Sequence, residues 1–143
     1  MHSVEQATSE DIVRVSLLDV TVLGDTSRHE LLSRAVETGR CLVVREGEDV
    51  AGFMVWDESF YGHTFIRLLI VRPDHRRRGI ASALLRRVER LCSTGKLFTS
   101  TNRSNSIMRR LLEKRGFVKS GHIENLDEGD PEIVYFKSVI GNS

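Results

Sequence analysis

The stretch Arg76-Arg77-Arg78-Gly79-Ile80-Ala81 decides the fold, because it lies between an apolar run and an amphipathic repeat. The apolar run covers residues 65–71, and it predicts a buried strand. The apolar residues that follow are three and four positions apart: Ile80, Ala81, Leu84, Leu85, Val88, Leu91 and Cys92. Their spacing predicts a helix from Gly79 to about Ser93. The stretch is therefore expected to be a strand-to-helix junction.

A junction of this kind is suited to binding an anion. The first turn of a helix presents N–H groups without intrahelical partners, together with the positive end of the helix dipole. Gly79 and Ala81 are small, so another molecule can approach the backbone closely at this point. We therefore expect this loop to bind a phosphate group.

The residues before the junction predict two helices and then three strands. The first helix covers residues 8–23. For the second helix, Ser27-Arg28-His29-Glu30 has the spacing of a capping box, and Gly39 ends the helix. This helix carries an apolar stripe of Leu31, Leu32, Ala35 and Val36. Residues 41–45 and 50–56 predict a β-hairpin. A turn over residues 59–62 leads to the strand that ends at Val71, and Pro73 prevents its regular continuation.

The residues after the junction predict a strand, a helix and a final pair of strands. The strand covers residues 96–101. The helix has a predicted buried stripe of Ile107, Met108, Leu111 and Leu112, and it ends at Gly116. Residues 117–123 and 133–139 form the last two predicted strands. With a short N-terminal strand placed first, the order α-α-β-β-β-α-β-α-β-β predicts an α/β fold with a mixed, mostly antiparallel sheet and helices on both faces.

Length and composition favour one domain over residues 1–143, since 143 residues with 40% hydrophobic content can bury one core. No window has the length of a membrane span, and the first residues lack the pattern of a secretory signal. We therefore expect a cytoplasmic protein that does not contact membranes.

Cys41 and Cys92 have no neighbouring ligand residues, so we expect two buried thiols and no metal site.

The charges are unevenly distributed although the net charge is only +1. Residues 1–71 hold 6 Lys/Arg and 12 Asp/Glu, residues 72–119 hold 14 and 3, and residues 120–143 hold 1 and 5. A basic middle segment suits a polyanionic ligand, and scattered solvated charge is the alternative interpretation.

The arginine run also allows a nucleic-acid binder, but the aromatic residues expected for base stacking are missing nearby. We therefore do not expect nucleic acid as a partner.

Two motifs resemble those of the GCN5-related N-acetyltransferases. Arg76-x-x-Gly79-x-Ala81 is similar to the family's Q/R-x-x-G-x-G/A signature and follows the expected apolar strand. The segment from Asn105 to Phe117 has the spacing of the family's N-x-x-A-x-x-L-Y-x-x-x-G-F segment. The resemblance extends in element order over nearly the whole chain, and at the level of motifs over about residues 64–120.

The resemblance implies an acyltransferase that uses acetyl-CoA as co-substrate and needs no metal. Strand residues Leu69, Ile70 and Val71 would pair with the pantetheine arm through their backbone, and Asn105 would contact the CoA chain. Backbone N–H groups from Arg77 through Ser82 would hold the pyrophosphate. The cofactor-binding residues expected in this loop are Arg76, Arg77, Arg78, Gly79, Ile80, Ala81 and Ser82.

The catalytic acid and base are not assigned by the resemblance. Leu112 stands where many members have a proton-donating Tyr, and Ser100 stands where the branch that acetylates protein N-termini has a Glu base. Donors to the thioester oxygen would be backbone N–H groups near Leu68 and Leu69. The polar residues that could replace the missing groups are His63, Glu124 and Tyr135, besides Tyr61 and His122. An ordered chain of water is another route for the proton.

The expected reaction is transfer of an acetyl group to a primary amine of a small molecule or peptide. A non-catalytic acyl-CoA-binding or regulatory module is the alternative, because the usual acid and base positions are vacant. The acidic segment 124–132 would face a cationic acceptor, or it is a solvated hairpin loop. The sequence leaves the acceptor, the oligomeric state and the existence of a homodimer open.

Overall fold

A computed structural model of the chain describes residues 2–139. The helices are α1 (Ile12–Leu23), α2 (His29–Glu37), α3 (Ile80–Leu91) and α4 (Ser106–Lys114). The strands are β1 (Val4–Gln6), β2 (Cys41–Glu46), β3 (Asp49–Phe60), β4 (His63–Val71), β5 (Lys96–Asn102), β6 (Val118–Ile123) and β7 (Glu132–Ser138). Their order in the sheet is β1-β2-β3-β4-β5-β7-β6. The predicted α/β fold and the order of its elements are confirmed.

Contacts divide the chain into two compact units, which we describe separately. The first comprises the residues up to Trp56 together with Leu68–Val88, and the second comprises Asp57–Arg67 together with the residues from Glu89 onward. The extent of the predicted domain, residues 1–143, stays a prediction, and residues 140–143 lie outside the described part of the chain. No helix within residues 2–139 has both the length and the apolar character needed to span a bilayer.

In the first unit, β1 pairs antiparallel with β2, and β2 with β3. Val15 and Leu18 of α1 and Leu32, Ala35 and Val36 of α2 pack in one core with Cys41, Val43 and Phe53. The apolar stripe predicted on α2 therefore lies against β2 and β3. Leu31, the remaining member of that stripe, is half-buried against the same core.

The capping box predicted for α2 is wrong. Arg28 is the N-cap of α2, and no side chain caps this helix. The Ser27 amide instead donates to Asp25 Oδ1 at 2.9 Å, which places Ser27 in a local turn. A capping box is found ahead of α1, where Thr8 and Asp11 bracket the short 3₁₀ turn Ser9–Asp11.

In the second unit, β4 and β5 run parallel, with Phe65 opposite Phe98. β7 lies between β5 and β6 and is antiparallel to both, as the sequence predicts for the last two strands. β3 and β4 are joined by Tyr61 and Gly62, whose φ angles of 54° and 80° are those of a two-residue hairpin turn. The expected turn at residues 59–62 is thus confirmed, with its tip at these two residues.

Three predicted buried positions are corrected by the structure. Ile107 leaves 73% of its surface exposed and so does not belong to the buried stripe of α4, whereas Leu112 is 1% exposed. Leu91, at the end of α3, is 41% exposed. Cys92 follows the last turn of α3 and is only half-buried, whereas Cys41 is fully buried. Ile107 and Leu91 each lie in an end turn of their helix, where the sheet covers the side chains least.

Candidate functional site

The loop between β4 and α3 has the backbone geometry of an anion site. Arg77 and Gly79 adopt left-handed conformations with φ of 66° and 82°, and residues 76–79 are exposed. A Cβ added to Gly79 would have no heavy atom within 4 Å, so the space above its backbone is open. Left-handed residues of this kind are typical of loops whose backbone N–H groups bind anions.

The start of α3 adds further donors beside this loop. Ala83 donates its amide to the carbonyl of Gly79 at 3.0 Å, which makes Gly79 the first residue of the helix ladder. Because Gly79 has no side chain to cap the helix, the amides of residues 80–82 face outward as free donors. The side chain of Ile80 is 1% exposed, so only its backbone can serve a ligand.

Ionic contacts fix the residues that enter the loop. The Arg72 amide donates to the Ala51 carbonyl at 2.8 Å, and Pro73–His75 forms a 3₁₀ turn. His75 lies between two carboxylates, with Nδ1 at 2.8 Å from Asp74 and Nε2 at 3.3 Å from Glu46. Hydrogen bonds from His75 and then from Arg72 lower the pKa of Asp74 below its usual value. The loop is therefore attached to β3 and to the end of β2.

The three arginines of the loop are exposed cations. Arg78 Nη1 is 3.8 Å from Glu46, and the Arg78 carbonyl contacts the imidazole of His2. A cation near a phosphate site raises the local concentration of an anionic ligand over a distance of about 10 Å at ordinary salt. Leu69, Ile70 and Val71, which precede the loop on β4, are half-buried.

Asn105 lies in the second unit and caps α4. Its Oδ1 accepts the Met108 amide at 3.2 Å, as expected for an N-cap residue. Among the described residues no acceptor is paired with its Nδ2 group, so this donor is available to a ligand. The CoA contact expected from Asn105 remains a prediction.

Tyr135 has a defined place in the second unit. Its ring is fully buried, its hydroxyl donates to Glu113 Oε2 at 2.8 Å, and Arg109 Nε donates to the same hydroxyl at 3.2 Å. The pKa of Tyr135 is raised, mainly because the phenol is buried. The hydrogen bond from Arg109 lowers this pKa in part, and the hydrogen bond to Glu113 raises it further. The phenol therefore keeps its proton, and that proton is engaged with α4.

The other candidate residues have local partners at the surface. His63 Nδ1 lies 3.0 Å from the Thr94 hydroxyl, and His122 forms an exposed ion pair with Glu124 at 3.2 Å. Tyr61 is 88% exposed at the tip of its hairpin. These contacts give His63, Glu124 and His122 partners within the protein.

Part of the acidic segment 124–132 holds the turn that follows β5. Asp130 accepts the amide and the hydroxyl of Ser104 at 3.0 and 2.6 Å, and Asp127 accepts from Asn102 Nδ2 at 2.9 Å. The Ser104 hydrogen bonds lower the pKa of Asp130. Asp127 and Asp130 are therefore engaged within the protein. Within residues 2–139, no group of His, Cys, Asp and Glu side chains is arranged to hold a metal ion.

Glu132 is a further candidate site residue, which no sequence motif indicates. Its Oε2 accepts a hydrogen bond from the Ser100 hydroxyl at 2.7 Å. A carboxylate therefore lies beside Ser100, the position at which one branch of the family has a Glu base. Ser100 and Glu132 are 32 positions apart in sequence. Only the β5–β7 register, with Asn102 opposite Glu132, brings them together. The signal in the sequence was a Glu immediately before the last predicted strand, residues 133–139.

Comparison with known families gives one decisive match. Residues 8–117 match the model of the Acetyltransferase (GNAT) family. The chain belongs to the GNAT acetyltransferase family. A GNAT acetyltransferase from Bacillus cereus is 40% identical, with a TM-score of 0.92 over 96% of this chain and 97% of that chain. Both motifs named above, from Arg76 and from Asn105, lie within the matched residues.

More distant GNAT folds have been solved with ligands. Arabidopsis thaliana Naa50, solved with the bisubstrate analogue CoA-Ac-MVNAL, is 17% identical with a TM-score of 0.78 over 96% of this chain and 98% of that chain. A protein from Bacillus anthracis assigned as a streptothricin acetyltransferase, solved with acetyl coenzyme A, is 18% identical with a TM-score of 0.62 over 68% of this chain and 61% of that chain. These two share the fold with this GNAT chain. The search of curated proteins gave no match.

Proposed function

We propose that this GNAT acetyltransferase transfers an acetyl group from acetyl-CoA to a primary amine of a small molecule or peptide in the cytoplasm. The observation that carries the proposal is the β4–α3 loop. Its left-handed residues Arg77 and Gly79, its open space above Gly79 and the free amides of residues 80–82 fit a pyrophosphate. The family membership indicates that the pyrophosphate is that of CoA.

The residues that would hold acetyl-CoA have distinct tasks. Backbone amides of residues 77–82 bind the pyrophosphate, and the exposed Arg76, Arg77 and Arg78 attract it. The β4 residues Leu69, Ile70 and Val71 offer backbone groups to the pantetheine arm. Asn105 offers its Nδ2 donor while Oδ1 caps α4. Bound acetyl-CoA supplies the activated acetyl group.

The reaction needs one proton removed from the acceptor before attack. An ammonium group has no lone pair, so a base takes one proton and the amine nitrogen then forms a bond to the thioester carbon. The carbon–sulfur bond breaks and the thiolate leaves with the electron pair. The second nitrogen proton passes to the thiolate or to water. Leu112 cannot donate a proton, and a thiolate leaves readily without one.

Relatives that have been solved with ligands support both kinds of acceptor. The analogue bound to Naa50 joins CoA to a peptide, MVNAL, and the relative from Bacillus anthracis is assigned as a streptothricin acetyltransferase. The acceptor of this chain is therefore sought among peptides and small amines alike. The first experiment measures CoA thiol release from acetyl-CoA over a panel of both classes, with mass spectrometry of the acetylated product.

The buried Leu112 favours one alternative function, a non-catalytic CoA-binding module, because the side chain at the usual acid position is 1% exposed and apolar. The same experiment, together with isothermal titration of CoA, separates the two functions. Acetylated product that forms with matching thiol release supports acetyl transfer. Tight CoA binding without turnover on any amine supports the module. Absence of CoA binding contradicts both functions.

A further inference from the structure

One face of the sheet in the second unit carries a row of aromatic rings. Phe65 and Phe98 are opposite each other on β4 and β5, and Phe98 is opposite Phe136 on β7. The Phe98 ring lies 5.2 Å from that of Phe136 and 4.9 Å from that of Phe60, measured between ring centroids. All four rings are only half-buried. Contiguous apolar side chains that stay partly exposed are a common feature of ligand-binding surfaces.

The other face of these strands is covered. Leu97, Thr99 and Tyr135 alternate with the aromatic positions along β5 and β7, and all three are buried. The Tyr135 hydroxyl bonds to α4 residues Arg109 and Glu113, which places α4 on that face. The aromatic row therefore lies on the face opposite α4.

Glu132 lies on the aromatic face beside this row. Its Oε2 is held by the Ser100 hydroxyl at 2.7 Å, and Ser100 is two residues after Phe98, hence on the same face of β5 and about 7 Å away. Both Ser100 and Glu132 are half-buried. The carboxylate is thus fixed in position within reach of any molecule that covers the Phe98 ring.

Among the described residues, Glu132 has no paired cation, in contrast to Asp57 and Glu89 of the second unit. Asp57 pairs with Arg67 at 2.9 Å, and Glu89 pairs with Lys137 at 3.0 Å. Within residues 2–139, no Lys, Arg or His side chain forms an ion pair with Glu132, and its hydrogen bond is to a neutral hydroxyl. A half-buried carboxylate without a counter-ion favours binding a cation from outside the protein.

We propose that Glu132 binds the ammonium group of the acceptor and accepts its proton, and that the acceptor is a primary amine with an aromatic group that packs on the Phe98 row. This inference rests on the proposed acetyl transfer. The ammonium nitrogen gives one proton to Glu132, either directly or through one water. The nitrogen keeps the electron pair of that N–H bond and uses it to attack the thioester. Glu132 later returns the proton to solvent.

The test uses 2-phenylethylamine as the probe and 2-phenylethanol as its neutral analogue, with the full chain saturated with CoA. The wild type binds the amine at least tenfold more tightly than the alcohol. Glu132→Gln keeps an acceptor for Ser100 but loses the charge, and it removes this preference. Glu128→Gln, which neutralises an exposed carboxylate of the same loop, retains the preference. Equal affinity of the wild type for amine and alcohol, or an undiminished preference in E132Q, overturns the inference.

A kinetic measurement complements the binding test. On an amine that the wild type acetylates, E132Q lowers kcat/KM at least about 100-fold, as expected for loss of a general base, with the Kd for CoA unchanged within twofold. Ser100→Ala, which frees the carboxylate, gives a smaller loss. Activity of E132Q within twofold of wild type contradicts the role of Glu132. Failure to bind CoA in the wild type contradicts the proposed function instead, so the two failures are distinguishable.

Discussion

Gly52 and Ile80 pack so closely that a side chain at position 52 would collide with α3. A Cβ on Gly52 would lie 2.7 Å from Ile80 Cγ2 and 3.2 Å from the Ile70 carbonyl oxygen. Ile80 is the first residue of α3 and is 1% exposed. The absence of a side chain at Gly52 of β3 thus lets the first residue of α3 pack directly against the strand.

Gly52→Ala is expected to destabilise the protein by about 1–3 kcal/mol, because the added methyl group overpacks this contact. The free energy of unfolding in urea measures the loss. Ile80→Ala removes Cγ2, so the same glycine substitution costs less in the I80A background. Equal costs in the two backgrounds would show that Ile80 is not the residue that excludes a side chain at position 52.

Gly79→Ala is expected to raise the Kd for CoA at least tenfold, since alanine disfavours the left-handed conformation that the loop uses. Gly24→Ala is the matched control, because Gly24 also has a positive φ, of 96°, and open space around it but lies at the end of α1. Both variants lose about 1–2 kcal/mol of stability. Isothermal titration calorimetry measures CoA binding. A loss of CoA affinity in G24A as large as in G79A would show that Gly79 has no specific role in the CoA site.

Asp11→Asn is expected to destabilise the protein by about 1–3 kcal/mol at pH 7. Asp11 is 7% exposed and accepts two hydrogen bonds from Arg45, at 3.0 and 2.8 Å. The bond to Arg45, more than any other interaction, lowers the pKa of Asp11 from its ordinary value of 3.8. The stabilisation is therefore complete above pH 3.8 and is lost as the pH falls through the lowered pKa.

Urea unfolding of D11N and wild type at several pH values checks this dependence. The difference between the two proteins shrinks toward acid pH as Asp11 takes up a proton. Glu10→Gln, which changes the exposed neighbour, leaves stability within about 0.5 kcal/mol of wild type. A difference between D11N and wild type that is constant down to pH 2 would contradict the pairing with Arg45.

Lys137→Met is expected to cost about 3 kcal/mol of unfolding free energy, because it leaves the Glu89 carboxylate without its nearest cation. Lys137 Nζ lies 3.0 Å from Glu89 Oε2, and the Glu89 side chain is 10% exposed. Arg115 Nη2, at 3.8 Å, is the more distant cation of this cluster. Lys119→Met, at an exposed lysine of β6, is the matched control in urea unfolding. Equal free energies of unfolding of K137M and K119M would contradict a stabilising role of the Lys137–Glu89 ion pair.

Iodoacetamide is expected to label Cys92 in the folded protein and to leave Cys41 unlabelled. Burial, with a smaller contribution from the charge of Asp11, raises the pKa of Cys41 to about 12, so little thiolate forms near neutral pH. Cys92 is half-buried beyond the end of α3. Mass spectrometry of tryptic peptides identifies the labelled residue, and labelling of native Cys92→Ser at Cys41 would contradict the burial of Cys41.

The order of the elements could be predicted because apolar spacing and glycine stops are local signals. Side-chain capping was less predictable. Ser27 has the spacing of a cap for α2, but its amide donates to Asp25 and its side chain does not cap the helix. The loop before α3 could be located from Arg76, Gly79 and Ala81 because it is encoded by neighbouring residues, and its phosphate binding stays a prediction. Glu132 could not be predicted, because its contact with Ser100 is set by strand register over 32 positions. Long-range register is not encoded in any short motif.

A crystal structure with CoA bound tests the central claim most directly, because the claim assigns the pyrophosphate to particular backbone atoms. We expect the pyrophosphate oxygens within about 3 Å of backbone amides among residues 77–82. Pyrophosphate bound elsewhere on the protein, without contact to these amides, would contradict the assignment of the loop and with it the proposed use of acetyl-CoA.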